Sequence, residues 1–381
     1  MKKSYLLIAA AATIMASCSQ NESLKNFVAE EEAPQVIGFN TISEKATRAS
    51  IESLETYHNT FAVYATKKSN NDENAAPQVI FDGDDAEDII TYDANRMAPN
   101  NWTYSPYRYW DKQATYSFVA VAPNTQIVKY SNGANVANNE GTYVTVAPYT
   151  LVGQNLQTNA APAESELKAG FTGGTGKDTD LMTATKFTRN GADKNVTDVS
   201  LEFKHILAKL NIAIAKDPTF DNVKVLIKNV KISGLDDTGI YNEATSNALS
   251  GWTASSTNAD YALSWKNADG IELLKGTGEG AEYEPGKFLY FIESLIMPQE
   301  IGVNAEKLTI DYTIVTGTKA ENYNYILYFN DGEAKVFQNF LERNNYTIFL
   351  TVRPNIITFD ATTDAWVDKT ASEVIVPVKN D

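Results

Sequence analysis

The chain has 381 residues, and its 48 acidic and 32 basic side chains give a formal net charge of −16. This length suggests two domains, and a hydrophobic fraction of 43% supplies enough apolar side chains for folded cores. The acidic balance argues against nucleic acid, or an anionic membrane surface, as the main partner. One cysteine and two histidines exclude a disulfide framework and argue against a His/Cys metal cluster. We therefore expect neither a metal nor a cofactor.

The first 18 residues indicate export. A basic start at residues 1–3 precedes an apolar run at 5–17, which is too short to span a bilayer but typical of a signal peptide. Small residues end this run just before Cys18, an arrangement that resembles a bacterial lipobox. In that pathway the cysteine is acylated, for example with palmitate, and becomes the new N-terminus. The alternative is an ordinary secretory signal that contains a cysteine. We predict a lipoprotein precursor tethered through Cys18.

A polar, acidic tether at residues 19–34 leads into the first predicted strand. This strand covers residues 35–42, and its apolar side chains are Val36, Ile37, Phe39 and Ile42. A polar stretch follows, in which Arg48 is the only arginine of the first 95 residues. A protease could reach an arginine in such a stretch.

Strand patterns dominate the rest of the chain. Apolar and polar residues alternate in four runs, at 223–227, 308–314, 323–329 and 346–352. This period of two is typical of strands. Turn clusters lie between the runs, and one short helix at 160–169 is the only helical candidate. We predict an all-β protein with two antiparallel β-sandwich domains.

One long strand pattern suggests the domain boundary. Apolar side chains share a face from Leu201 to Leu207, and from Leu210 the alternation shifts by one residue. Such a shift predicts a β-bulge or bend near Ala208 and Lys209. We place the two domains at residues 49–200 and 201–381.

Motifs for chemistry are mostly missing from the sequence. His205 lies among apolar residues, which favours a hydrogen-bonded core histidine, and His58 has no cysteine or serine partner in the sequence around it. The acidic segment 82–88 lacks the ligand order of an EF-hand, so we expect a solvated loop, with calcium binding left open. No carboxylate pair stands out for glycoside hydrolysis. We predict that the protein is not an enzyme.

Several segments together resemble the fimbrillin family, whose members are type V pilus subunits. They follow in this order behind the lipoprotein signal: 105–110, 116–123, 180–184, 201–210, 344–352 and 365–366. The resemblance implies two tandem transthyretin-like β-sandwich domains. It also implies a cell-surface structural subunit that supports adhesion and biofilm formation.

The resemblance further implies maturation by proteolysis. In this family an arginine-specific protease cuts an outer-membrane lipoprotein precursor, and the freed leading strand leaves its groove. A C-terminal strand of another subunit then replaces it in the extracellular fimbrium. Here the cut would lie between Arg48 and Ala49, which makes residues 19–48 the tether and propeptide strand.

The end of the chain offers a donor strand at 373–379. Its apolar side chains are Val374, Ile375, Val376 and Val378. Used in trans, such a strand would add main-chain hydrogen bonds to an open sheet. Alternatively, it is the last strand of its own domain. We predict a polymerising pilus subunit. Two alternatives stay open: a tip adhesin or accessory subunit with a host or bacterial surface ligand, and a surface glycan-binding lipoprotein that does not polymerise.

Overall fold

The structure is a computed structural model that describes the following residues: 34–43, 54, 58–83, 85–96, 101–124, 145–151, 154–157, 179–193, 198–220, 222–242, 251–256, 261–273, 288–353 and 356–365. From residue 35 onward they form one compact unit. Some predictions fall outside the described residues, namely Cys18, the cut site at Arg48 and Ala49, the helix at 160–169 and the donor strand at 373–379.

Strands make up nearly all regular structure in the described part, together with one 3-10 turn at Ala86–Asp88. The first ten strands are β1 (Gly38–Ser43), β2 (Thr60–Ser69), β3 (Gln78–Phe81), β4 (Ile89–Tyr92), β5 (Trp102–Thr103), β6 (Ala114–Ala122), β7 (Thr145–Thr150), β8 (Gln154–Gln157), β9 (Met182–Asn190) and β10 (Asp198–His205). The predicted all-β class is confirmed.

Seven of these strands close into a barrel-like sheet. Their order is β2-β4-β5-β1-β10-β9-β6, and pairing between β6 and β2 completes the ring, with β3 attached to the far half of β2. Every pair in the ring is antiparallel except β1 with β10, which run parallel. A closed ring has no open sheet edge, because each strand has a neighbour on both sides.

The remaining strands follow in the second half of the chain. They are β11 (Ala208–Lys216), β12 (Val223–Ser233), β13 (Thr238–Asn242), β14 (Trp252–Ser255), β15 (Ala262–Glu272), β16 (Leu289–Ile296), β17 (Gln299–Glu300), β18 (Lys307–Thr316), β19 (Lys319–Tyr328), β20 (Asn339–Phe340), β21 (Asn344–Arg353) and β22 (Ile356–Ala365). The predicted strand runs at 223–227, 308–314 and 346–352 all lie within these strands. The run at 323–329 extends one residue beyond β19.

Two larger sheets face a common core in this half. One has the order β16-β11-β21-β22 and the other β19-β18-β12-β15-β8. Trp265 of β15 packs edge-on against Phe291 of β16, with 4.7 Å between the ring centroids. Smaller sheets pair β14-β13-β7 and β17-β20. The pairs β11–β21 and β15–β8 are parallel, so the predicted antiparallel arrangement holds for most pairs but not for all.

Buried apolar side chains form two main cores. The first core fills the barrel, and its last residue along the chain is Phe203. The second core holds most buried apolar residues from Ile206 onward, and it also includes side chains from before β10, namely Ala62, Tyr64, Val119, Val121, Leu151 and Leu181. The chain leaves the barrel after His205 and enters a different sheet at Ala208. The sequence predicted a bend near residues 208 and 209, and the break lies at residues 206 and 207.

The two histidines lie near the same carboxylate at this junction. His205 is buried, and its Nδ1 lies 2.8 Å from Oδ2 of Asp180, so the prediction of a hydrogen-bonded core histidine is confirmed. Burial lowers the pKa of His58, and the negative charge of Asp180 opposes that effect. His58 is therefore more readily neutral than an exposed histidine.

Gly234 in the turn between β12 and β13 should resist substitution. Its φ is +91°, and an added Cβ would collide with the backbone oxygen of Ala305. We expect Gly234→Ala to lower the free energy of unfolding by more than about 1 kcal/mol, because alanine is strained at this φ and has no space. Gly317→Ala is the matched control, since its φ is +61° and no atom lies within 4 Å of the added Cβ. Equal urea midpoints for the two variants would contradict this explanation.

Candidate functional site: the leading strand and its groove

The predicted first strand enters the barrel core as residues 36–43, called the leading strand below. Ile37 and Phe39 are each 1% exposed and Thr41 is 7% exposed, whereas Asn40 between them is exposed. This alternation follows from the strand period of two, which directs every second side chain to the same face. The leading strand thus contributes its inward side chains to a core otherwise built by later segments.

One side of the leading strand pairs with β10. All six residues of β1 are in parallel register with Asp198–Phe203, so that Gly38 lies opposite Asp198 and Ser43 opposite Phe203. Ile42 lies opposite Glu202 in this register.

The other side pairs with the segment 102–110. Phe39 lies opposite Trp102 of β5, and Val36 forms an antiparallel bridge with Tyr109. The backbone N–H of Ile37 donates to the carbonyl of Arg108 at 2.8 Å. We call the space between this segment and β10 the leading-strand groove. Because it is bounded on both sides by main chain, an occupant of the groove can form two rows of hydrogen bonds.

Phe39 occupies the aromatic centre of the barrel core. Its ring packs edge-on against four others, with centroid distances of 5.4 Å to Phe81, 5.7 Å to Tyr104, 6.1 Å to Phe61 and 6.2 Å to Phe118. Edge-to-face pairs of this kind add to the free energy of area burial. The four rings that form the pocket around Phe39 all belong to segments that follow the leading strand in the sequence.

Tyr104 links the groove wall to the main chain of the leading strand. Its hydroxyl donates to the carbonyl of Ile37 at 2.8 Å and accepts from the N–H of Arg108 at 3.2 Å. Burial raises the pKa of Tyr104 to about 12, so the hydroxyl stays a donor at any physiological pH. It therefore satisfies a carbonyl at the groove whose burial would otherwise be costly.

Arg108 on the same wall pairs with a buried carboxylate. It forms an ion pair with Asp88, whose side chain is 4% exposed, and its guanidinium lies 4.5 Å from the ring centroid of Phe81. Asp88 also accepts from the N–H of Asp82 at 2.7 Å. The sequence predicted a solvated acidic loop here, which fits the exposed Glu87 but is wrong for Asp88, because Arg108 supplies a counter-charge from 20 residues away in the chain.

Replacing Tyr104 by phenylalanine tests the link to the leading strand. We expect Tyr104→Phe to lower the free energy of unfolding of the uncut chain by about 1–3 kcal/mol, because the buried carbonyl of Ile37 loses its donor. Tyr109→Phe should have little effect, since its side chain is 52% exposed. Urea denaturation of both variants would measure the difference, and an unchanged midpoint for Tyr104→Phe would contradict the assigned hydrogen bond.

The sequence found the leading strand but not the residues of its groove. Among the aromatic residues of this wall, Trp102 and Tyr104 are buried in the barrel core, while Tyr107 and Tyr109 are exposed. Alternation within 102–109 could have indicated this division. The pairing of Arg108 with Asp88 leaves no local signal.

The described residues hold neither a candidate metal cluster nor a membrane-spanning helix. No group of three or more His, Cys, Asp or Glu side chains in that part of the chain could hold a metal ion. Within the same residues, no helix has the length and apolar character needed to cross a membrane.

The chain is similar to a known protein family and to a solved structure. A family model described as fimbrillin-like matches residues 47–366. The chain is similar to the solved structure of a fimbrial protein from Bacteroides vulgatus, with 18% identity and a TM-score of 0.53, covering 87% of this chain and 100% of that one. This likeness shows a shared fold.

Two other solved structures are less similar. A candidate cell adhesion protein from Bacteroides uniformis is 16% identical, with a TM-score of 0.43, and the match covers 88% of this chain and 99% of that one. A fimbrial assembly protein from Parabacteroides distasonis is 11% identical, with a TM-score of 0.32 and coverage of 89% and 99%. None of the curated proteins compared with the chain matches it.

Proposed function

The chain belongs to the fimbrillin-like family, and from this premise we propose that it is a structural subunit of a cell-surface pilus. Its partners are other subunits of the same filament. The subunit travels to the surface as an outer-membrane lipoprotein precursor acylated at Cys18, and the filament it joins supports adhesion and biofilm formation.

The leading strand supports this proposal most strongly. It lies before Arg48 in the sequence, yet it is one of the strands of a closed ring, where it pairs with β5 on one side and β10 on the other. Its loss would open the ring between β5 and β10 and expose two sheet edges, together with the aromatic pocket around Phe39. Open edges pair readily with an added strand. A cut between Arg48 and Ala49 by an arginine-specific protease would allow that loss.

The replacing strand is proposed to come from the C-terminus of another subunit. In this chain Val374, Val376 and Val378 repeat with the same period of two as the inward residues of the leading strand. Before the cut, the leading strand would exclude this donor, because an attached segment has a high effective concentration at its own groove. Joining head to tail in this way produces an open filament, since the contact need not close on itself.

The two cores are proposed to be two tandem transthyretin-like domains with a boundary near residue 200. The barrel core ends along the chain at Phe203, and nearly all of the second core follows from Ile206, which supports this arrangement. The change of sheet between β10 and β11 supports it as well.

A protease assay tests the proposed maturation. We expect the purified protein, treated with an arginine-specific protease, to acquire Ala49 as its N-terminus and to form an SDS-resistant ladder on unheated gels. Arg48→Ala should abolish both the cut and the ladder. Lys45→Ala is the matched control, because it removes a basic residue from the same stretch and keeps the arginine. A ladder formed at normal levels by Arg48→Ala would overturn the cleavage step.

Deletion of residues 373–381 tests the donor strand separately. We expect this variant to be cut at Arg48 and to remain monomeric, which requires N-terminal sequencing and the same unheated gel. A ladder as strong as that of the full chain would assign 373–379 to its own domain instead. A chain that is neither cut nor polymerised in any form would favour the glycan-binding lipoprotein.

A further inference from the structure

A half-open cleft lies in the second half of the chain, where four short segments meet. Its volume is about 350 Å³, and its walls come from the turn before β13, from β14, from β17 and from β20. It shares no residue with the leading-strand groove. Side chains that line it include Asp236, Trp252, Thr253, Glu300, Asn339 and Phe340.

The apolar wall of the cleft is held in place from behind. The indole N–H of Trp252 donates to the carbonyl of Ile206, and its ring packs 5.4 Å from that of Tyr241. Phe340 is 1% exposed and packs edge-on against Tyr346 at 5.0 Å. These contacts leave the two rings little freedom, so a ligand would meet a preformed surface.

The polar wall carries side chains that are available to a ligand. The backbone N–H of Asp236 donates to Oε1 of Gln299 at 2.9 Å, and Nε2 of Gln299 donates to the carbonyl of Met297 at the same distance. Gln299 therefore supports the wall from within. The carboxylate of Asp236 forms no hydrogen bond or ion pair with another residue in the described part of the chain.

A second polar pair completes this wall. Glu300 of β17 and Asn339 of β20 lie directly opposite each other in the two-stranded sheet. Residues in this relation project on the same side with neighbouring Cβ atoms. A carboxylate and an amide thus stand side by side at the cleft, which provides acceptors and donors within one small area.

The charge of the cleft restricts what it can bind. Asp236 and Glu300 line it, and no lysine or arginine is among the described residues that form its walls. Desolvation and the neighbouring Asp237 raise the pKa of Asp236, which is the response of a carboxylate without a counter-charge. Buried Glu306 adds a further negative group nearby. Anionic ligands are therefore disfavoured by like-charge repulsion.

We propose that this cleft is a binding site for a neutral saccharide. Sugar hydroxyls would donate to the carboxylates of Asp236 and Glu300 and accept from the amide of Asn339, while an apolar ring face would lie against Trp252. The volume is at the lower end of the range for small-molecule sites, about 300–1,000 Å³, and suits one or two sugar units. This role goes beyond filament formation and does not depend on it.

Binding of the full chain to a printed array of neutral, sialylated and sulfated glycans tests the proposal. We expect retention on a subset of the neutral glycans and none on the anionic ones. Asp236→Ala and Asn339→Ala should each weaken binding to the retained glycan about tenfold or more, as loss of a hydrogen bond in such a site would. Glu333→Ala is the charge-matched control, because this residue is exposed and lies outside the cleft.

Each other result overturns the proposal. No binding to any neutral glycan, or stronger binding to sialylated glycans, would exclude this ligand class. If both Asp236→Ala and Asn339→Ala still bind the neutral glycan, the glycan binds outside this cleft. Asp236→Asn removes the charge at nearly constant shape, so it replaces Asp236→Ala if that variant unfolds at a lower urea concentration. The cleft variants should still form the protease-dependent ladder, which separates this proposal from the pilus proposal.

Discussion

Replacing Phe39 by alanine should lower the free energy of unfolding of the uncut chain by about 3–5 kcal/mol. The ring is 1% exposed and packs against four other aromatic rings, so its removal leaves a cavity that the barrel cannot easily fill. Urea denaturation monitored by tryptophan fluorescence would measure the change. Asn40→Ala is the matched control on the same strand, since the Asn40 side chain is exposed, and it should shift the midpoint little.

The same substitution distinguishes two states of the subunit. If the leading strand leaves after cleavage at Arg48, the stability of the polymerised subunit no longer depends on residue 39. Filaments that form from Phe39→Ala after the cut should then match wild-type filaments in their resistance to heated SDS. Filaments weakened by the substitution would mean that the leading strand stays in its groove.

We expect the second large loss of stability when the charge of Arg108 is removed. Arg108→Ala should lower the free energy of unfolding at neutral pH by about 3–5 kcal/mol, because it leaves the buried carboxylate of Asp88 without its counter-charge. The lost packing of the guanidinium over Phe81 adds to this effect. Arg96→Ala is the matched control, since the side chain of Arg96 is 42% exposed and its partner is the partly exposed Asp93.

The pH dependence of this variant follows from the sign of the shift. Desolvation raises the pKa of Asp88 in the folded chain, and Arg108 opposes that effect. Without Arg108 the pKa rises further, so the folded state binds the proton more tightly than the unfolded state. The loss of stability in Arg108→Ala should therefore shrink as the pH falls through the raised pKa.

A second substitution checks the cause. Asp88→Asn in the Arg108→Ala background should restore part of the stability at neutral pH and remove this pH dependence. Stability curves with the same pH profile for the single and double variants would contradict the assignment to Asp88.

Strand positions could be predicted from the sequence because burial imposes a period of two. In β10 the side chains of Val199, Leu201, Phe203 and His205 are buried and those of Ser200 and Glu202 are exposed. The shift in this pattern after His205 marked a real change of sheet. The leading strand was predicted from its apolar residues at positions 36, 37, 39 and 42, of which only Ile37 and Phe39 follow the period of two on the inward face.

Pairing between distant segments could not be predicted in the same way. The ring closes through β2 with β6 and through β1 with β10, and neither pair is joined by a short hairpin turn. The partner of Asp88 lies 20 residues further along the chain, and the saccharide cleft combines segments that begin near residues 236, 252, 298 and 339. Each segment is too short to carry a pattern of its own, so three-dimensional structure was needed to bring them together.

The position of the leading strand also bears on how a filament would withstand force. A strand in this groove has main-chain partners along both sides, on β10 and on the segment 102–110. Tension along such a strand loads all of these hydrogen bonds together in shear, whereas a strand at an open edge pulled sideways releases them one after another. A donor strand that takes the place of β1 would therefore give each joint between subunits a high resistance to pulling.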